Sequence, residues 1–197
     1  MGTSELDNIA SMVRLAKTGD KEALSLLIEA TQDRFYKFIF GVTGNKHIAD
    51  DVCQESYLRA LEHLDKLRDD SKFISWLYRT GKNAFLDHLK QRSNKNVSIN
   101  DTDLNDARNL GSEAVDNIIY INQVLQSLGE EERMVLLAVD MEGNTYAEAA
   151  ELLDITEEAV RMKLFRARKK FVENFETSKE HVSSIKWENE NEFKKGI

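Results

Sequence analysis

Residues 145–170 read TYAEAAELLDITEEAVRMKLFRARKK, and the spacing within this stretch decides the fold. Thr145, followed three residues on by Glu148, is a T-x-x-E capping box that satisfies the orphan amides of a helix start. Ala149, Ala150, Leu152 and Leu153 supply the apolar face of a short first helix, and Ala150 is small enough to let a second helix cross closely. Asp154 and Ile155 make a turn. Thr156 caps the next helix, and Glu157 and Glu158 in its first turn complement the positive end of the macrodipole. Val160 and Leu164 then face inward, which leaves Arg161, Lys163, Arg166 and Lys170 largely outward. This is the pattern of a helix-turn-helix. Between Arg161 and Lys170 stand six cationic side chains (Arg161, Lys163, Arg166, Arg168, Lys169, Lys170) and no acidic one, in a chain of net charge −8. A solvated basic helix accounts for the charge run alone. It does not account for the caps, the turn and the small crossing residue, so the stretch reads as a helix that enters a DNA major groove, where cations meet phosphates and guanine edges.

The 197 residues allow one large or two small domains. The absence of proline and the abundance of Ala, Leu, Glu and Lys predict an all-α protein. The single cysteine, Cys53, excludes an intramolecular disulfide and is expected as a small buried residue on an amphipathic helix. No segment approaches the roughly 18 apolar residues of a membrane span, and the N-terminus lacks a signal-peptide core. No membrane insertion and a cytoplasmic location are therefore expected. Cys53, His47, His63 and His88 have no partners at catalytic or metal-ligating spacing, and there is neither a C-x-x-C, an H-E-x-x-H nor a glycine-rich phosphate loop. An enzyme, a metal and a cofactor are all unexpected. Because the acidic total repels nucleic acid at long range, any binding surface must be a local patch.

Working outward, Leu6, Ile9, Met12, Val13 and Ala16 recur at helical spacing, and Gly19-Asp20 reads as a stop and a new cap. A second helix is predicted from about Lys21 through Val42, with Leu24, Leu27, Ile28, Phe35, Phe38 and Ile39 as its core stripe. A third runs from near Ala49 to about Leu64; it buries Val52, Cys53, Tyr57, Ala60 and Leu61 and shows Asp51, Glu55, Arg59 and Glu62 on its other face. A polar loop, Asp65 to Lys72, leads to a fourth helix from Phe73 to about Arg92, and between Lys72 and Lys95 six Lys or Arg face one Asp. The periodicity of Phe73 and Trp76 with Leu77 and Phe85 assigns them to the core. From Val97 to Asn117 five acidic residues face one arginine, aromatic residues vanish, and the composition is that of a linker. A second unit of four helices resumes near Ile118, with Ile121, Val124, Leu125 and Leu128 as one stripe and Met134, Val135, Leu137 and Ala138 as the next. Beyond Phe175 the tail is polar, with Trp187 and Phe193 as its large apolar residues. Two helical units, each with a basic element and joined by an acidic tether, suit the reading of two separated DNA sites.

Four stretches carry a family resemblance: Asp50-Asp51-Val52-Cys53-Gln54-Glu55 followed by Tyr57 and Leu58; Phe73 with Trp76-Leu77-Tyr78-Arg79, Asn83 and Asp87; Leu125 with Leu128 and Arg133; and Thr145-Tyr146 through Arg168. In this order and spacing they resemble the bacterial RNA polymerase sigma factors of the extracytoplasmic function (ECF) group, the smallest members of the sigma-70 family, over about Leu6 to Asn174. The resemblance implies a sigma region 2 domain over 1–96, a flexible acidic linker over 97–117, a sigma region 4 helix-turn-helix domain over 118–175 and a polar tail over 176–197.

It further implies that Asp51, Gln54, Glu55 and Arg59 dock on a coiled coil of core RNA polymerase; taken alone, that face is an ordinary solvated one. Around the −10 element, Arg79 and Asn83, one turn apart, match family positions that contact the opened strand, and Lys72, Lys82, Lys90 and Arg92 are expected at phosphates. Around the −35 element, Arg161, Phe165 and Arg166 match positions that read the duplex, with Lys163 and Lys169 on phosphate. Promoter DNA and core polymerase are the implied partners, with an anti-sigma factor as regulator and the chain a monomer within the holoenzyme. Gly129, Asp154, Ala149 and Lys90 stand where the family usually has proline, glycine, isoleucine and arginine. The competing reading is a conventional helix-turn-helix regulator that binds palindromic duplex by itself. It gives no role to the basic fourth helix or the acidic third one.

Overall fold

The computed structural model describes the backbone of residues 3–94 and 120–195 and the side chains of residues 7–91 and 120–177. Among these residues the structure is helical, without strands. Helix α1 (Thr3–Lys17) ends at Gly19, and the Asp20 carboxylate caps α2 (Lys21–Thr43) by accepting from the amides of Glu22 and Ala23 at 2.9 and 3.1 Å. Gly44, at φ 65°, closes α2 in the left-handed conformation, and its amide donates to the Phe40 carbonyl. Asn45 then caps α3 (Lys46–Glu62) through the Ile48 amide at 3.0 Å. Helix α3 thus starts earlier than the apolar pattern predicts, because its first turn is held by a cap rather than by packing.

The segment expected as a polar loop contains two 3₁₀ turns, Leu64–Lys66 and Asp70–Lys72. Lys17 reaches across from α1 to the Leu67 carbonyl at 2.5 Å and to the Asp70 carboxylate, which ties the loop to the first helix. Helix α4 (Phe73–Asn94) follows. Val13, Leu27, Phe35, Phe38, Ile39, Phe73 and Leu77 form the centre of this unit and are essentially fully buried. Each such side chain contributes about 1.5–3 kcal/mol on leaving water. Phe35 takes Tyr57 and Tyr78 edge-on at 5.6 and 5.3 Å between ring centroids. At Gly81 the two helices approach so closely that an added Cβ would stand 2.7 Å from the Phe35 ring.

The second unit comprises α5 (residues 120–126), α6 (Glu130–Leu136) running on through a π-helical turn (Leu137–Met141), α7 (Tyr146–Leu153) and α8 (Glu157–Lys195). Val124, Leu128, Met134, Val135, Ala138, Ala149, Leu152, Val160, Leu164 and Ala167 build its core. Helix α8 continues far beyond the basic stretch, and Phe175, with Phe171 stacked on it, anchors the helix against Tyr120 of α5. The two units are not apart: α7 packs on α4, and α6 with its π-helical turn packs on α2. The acidic stretch 97–117, Ile118 and the side chains of Arg92, Trp187 and Phe193 lie outside the described residues.

Candidate nucleic-acid interface and partner groove

The capping box that opens α7 is formed as the sequence predicts. The Glu148 amide donates to the Thr145 hydroxyl at 3.2 Å, and the Thr145 amide donates back to the Glu148 carboxylate at 2.8 Å. That backbone bond, followed by the Thr145 hydroxyl, holds the Glu148 carboxyl below the usual glutamate range. Asp154 ends α7 at φ 55°, a left-handed conformation that an L side chain adopts at a cost of about 1 kcal/mol. Thr156 accepts from the Ala159 amide at 3.2 Å and starts α8. Val160, Leu164 and Ala167 turn inward with at most 2% exposure.

The outward face of α8 divides into two groups of cations. Lys163 is bonded to Glu131, Lys170 to Glu132 at 2.7 Å, and Arg168 grips Asp140 with two hydrogen bonds at 3.0 and 2.6 Å. These side chains fasten α8 to α6 and its π-helical turn. Hydrogen bonding to Asp140 also raises the Arg168 pKa. Arg161 lies 5.8 Å from the Tyr146 ring centroid and 4.0 Å from Glu157, and Lys169 stands 3.8 Å from Glu173. Arg166 is exposed and has no ion pair among the described residues. Phe165 is 72% exposed, so it is a ring presented to solvent rather than a core residue. Arg161, Phe165, Arg166 and Lys169 therefore form one open face, and Lys163 is drawn off towards α6.

On the first unit, Asp51, Gln54, Glu55 and Arg59 line one open groove of about 490 Å³ between α3 and α4, together with Asp87 and His88. Arg59 bridges its floor, donating to Glu55 at 2.6 Å and to Asp87 at 3.3 Å, and the bond to Glu55 raises its pKa. Leu58, 52% exposed, adds an apolar contact to this polar groove. Helical spacing brought Asp51, Glu55 and Arg59 together and the family resemblance added Gln54, but neither placed Asp87, which arrives from the neighbouring helix, in the groove.

The basic residues of α4 are distributed differently. Asn83 and Lys90 are exposed and Arg79 is half-buried. Lys90 lies 3.7 Å from Asp87. Lys72 pairs with Glu151 of α7 at 2.6 Å, and Lys82 donates to the Leu153 carbonyl at the end of the same helix. Phe73 is buried and Trp76 half-buried against the core, as their periodicity predicts.

Sequence reasoning also missed a cluster between the units. Glu142, at the end of the π-helical turn, has a side chain only 5% exposed; it accepts from Arg34 and, at 3.0 Å, from the Tyr78 hydroxyl. Arg34 donates a further bond to the Glu142 carbonyl at 2.7 Å. Burial, then the Glu142 charge, pushes the Tyr78 hydroxyl far above its ordinary pKa. A second groove, between α2 and α3, is lined by Ile28, Tyr36, Cys53 and Tyr57. Burial, then Asp50, pushes the half-buried Cys53 thiol up to about 12. Among the described residues no helix is long and apolar enough to cross a membrane.

The family models of sigma-70 region 2 and sigma-70 region 4 match residues 27–95 and 118–171. The RNA polymerase sigma-H factor of Pseudomonas aeruginosa is 30% identical over 182 residues, spanning 85% of this chain and 93% of that one. The ECF RNA polymerase sigma-E factor of Salmonella typhimurium is 28% identical over 173 residues, spanning 80% and 88%. The sigma factor RpoE of Bartonella quintana, solved with the anti-sigma factor NepR, shares the fold at a TM-score of 0.65 and 15% identity over 78% of this chain and 96% of that one. The chain belongs to the sigma-70 family of RNA polymerase sigma factors, in its extracytoplasmic function group.

Proposed function

We propose that the chain is an alternative sigma factor that binds bacterial core RNA polymerase, directs it to promoters through their −10 and −35 elements, and traps the opened strand. It performs no bond chemistry, needs no metal or cofactor, acts as a monomer within the holoenzyme in the cytoplasm, and is held in check by an anti-sigma factor. Residues 1–96 act as the region 2 domain, 97–117 as a flexible linker, and 118–175 as the region 4 domain. The observation that carries this reading is the pairing, in one chain, of a polar groove lined by Asp51, Gln54, Glu55 and Arg59 with an open recognition face of Arg161, Phe165, Arg166 and Lys169. A DNA-binding regulator needs the second feature but not the first.

In this reading the groove takes core polymerase. Arg79 and Asn83 contact the opened −10 strand, with Lys72, Lys82, Lys90 and Arg92 on its phosphates. Arg161, Phe165 and Arg166 read the −35 duplex, and Lys163 and Lys169 touch its backbone. The Bartonella complex, in which a sigma factor of the same fold is solved with an anti-sigma factor, supports a protein regulator here. The test is assembly on sigma-free core polymerase, with the charge reversal Glu55→Arg and the truncation Phe165→Ala beside the unaltered chain. The unaltered chain and Phe165→Ala form the complex, and Glu55→Arg loses it. If none of the three binds core while the free chain binds a palindromic duplex tightly, the regulator reading replaces this one.

A further inference from the structure

A helix turns by about 100° per residue, so the inward side chains of α8 fix what its outer surface shows. Val160, Leu164 and Ala167 cluster on the inner side, at no more than 2% exposure. The direction opposite their mean falls within about 15° of both Met162 and Lys169. Lys169 lies about 10 Å further along the axis, whereas Met162 stands in the second turn, near the helix start where a recognition helix meets base edges. The side chain at the centre of that face is therefore a methionine and not a cation. It is 52% exposed, and Phe165, its neighbour three residues on, is more exposed still. A lone apolar residue at a surface is ordinary. Two adjacent ones flanked by Arg161 and Arg166 make an apolar spot in the middle of a cationic face. The cations on either side of Met162 have partners of their own, Arg161 at the Tyr146 ring and Glu157, and Lys163 at Glu131.

We infer that Met162 is a specificity-determining residue, which packs on the methyl group of a thymine in the −35 duplex. The major groove offers an apolar side chain one matching group, the C5-methyl of thymine. Set against guanine O6 and N7 or the cytosine amino group, the methionine would strip water from a polar edge and return no hydrogen bond. Set against the methyl, both surfaces leave water favourably. The unbranched thioether can follow the shape of the step it meets, which a β-branched side chain cannot. The −35 element then carries a thymine, on one strand or the other, beneath the centre of α8. This rests on the assignment of the outer face of α8 to the −35 duplex, and it names a base that the cations on that face do not select.

The test is equilibrium binding of reconstituted holoenzyme to a promoter fragment with a mapped start site. Each thymine of its −35 element is replaced in turn by deoxyuridine, which removes the methyl and leaves the pairing edge intact. The unaltered chain should bind one of these fragments about fourfold more weakly than the parent, the loss expected for one buried methyl. Met162→Ala should bind that fragment and its parent alike. Met162→Leu, which restores an apolar side chain of similar size, should recover the difference. Neither substitution reaches the core of Val160, Leu164 and Ala167. A general role for Met162 in folding or docking would weaken parent and substituted fragments equally, and that result would overturn the assignment. So would a −35 element with no thymine on either strand, an unaltered chain indifferent to every deoxyuridine, or a penalty that survives Met162→Ala at every position. Binding that ignores scrambling of the whole −35 element would refute the sigma-factor reading itself, an outcome distinguishable from loss of the methyl effect alone.

Discussion

Arg166→Ala is the substitution whose outcome is most closely constrained by the geometry. The guanidinium is exposed and holds no ion pair among the described residues, so its removal breaks none there. Folding stability should then move by no more than about 0.5 kcal/mol, the usual range for surface sites away from such features. At the promoter, loss of a bidentate contact to a guanine edge costs about 1–3 kcal/mol, equivalent to roughly 5- to 140-fold in affinity. Lys169 is the comparison, because its ammonium is a point charge expected on phosphate. Lys169→Ala should weaken all fragments alike and flatten the salt dependence by about 0.9 in the log–log slope. The assay is equilibrium binding of reconstituted holoenzyme to a promoter fragment and to the same fragment with its −35 element scrambled, over a salt series. Arg166→Ala should shrink the ratio between the two fragments, whereas Lys169→Ala should leave it intact. An unchanged ratio for Arg166→Ala would refute the assignment of this side chain to sequence reading.

Leu164→Ala, at a position 2% exposed, should lower the unfolding free energy in urea by about 2–5 kcal/mol, whereas Phe165→Ala next to it should change it by less than about 0.5 kcal/mol. If Phe165→Ala is the more destabilising of the two, α8 is rotated from the orientation described. Because burial pushes the Cys53 thiol up to about 12, iodoacetamide at pH 8 should alkylate the native chain far more slowly than the denatured one; equal rates would show the site open. Glu148 carries a depressed pKa in the fold, so its contribution to stability is complete above the ordinary glutamate pKa and fades as pH falls through the lower folded value. Glu148→Gln should accordingly flatten the acid limb of the stability profile, measured by thermal melts from neutral pH downward, and an unaltered limb would argue against the reciprocal cap.

Most of the fold is legible in the sequence because its signals are local. Asp20, Thr145 with Glu148, and Thr156 announce helix starts because a cap is a short-range interaction, with donor and acceptor within three residues of one another. Val160 and Leu164 reveal the buried side of α8 because helical periodicity is equally local. The same logic gathered Asp51, Glu55 and Arg59 on one face, together with Glu62; the groove contains the first three and Gln54, which the family resemblance added, but not Glu62. It failed where partners are distant in the chain. Arg34 and Glu142 are 108 residues apart, and Lys82 and Leu153 are 71 apart, so no pattern within a helix could join them. The loose tether implied by the acidic stretch suggested independent units, and the packing of α7 on α4 is tertiary information of this long-range kind. Lys163 illustrates the same limit on a smaller scale. Its place on the basic helix gave it a phosphate, yet Glu131, on the preceding helix of the same unit, is its partner in the fold.

The most direct measurement of the central claim is run-off transcription by sigma-free core polymerase on fragmented genomic DNA, with and without the purified chain, read by mapping the 5′ ends of the transcripts. The account predicts new start sites that appear only with the chain, share two spaced sequence elements upstream, and lose dependence on the distal element when Arg166 is replaced. Unchanged start sites in the presence of a folded chain would contradict it.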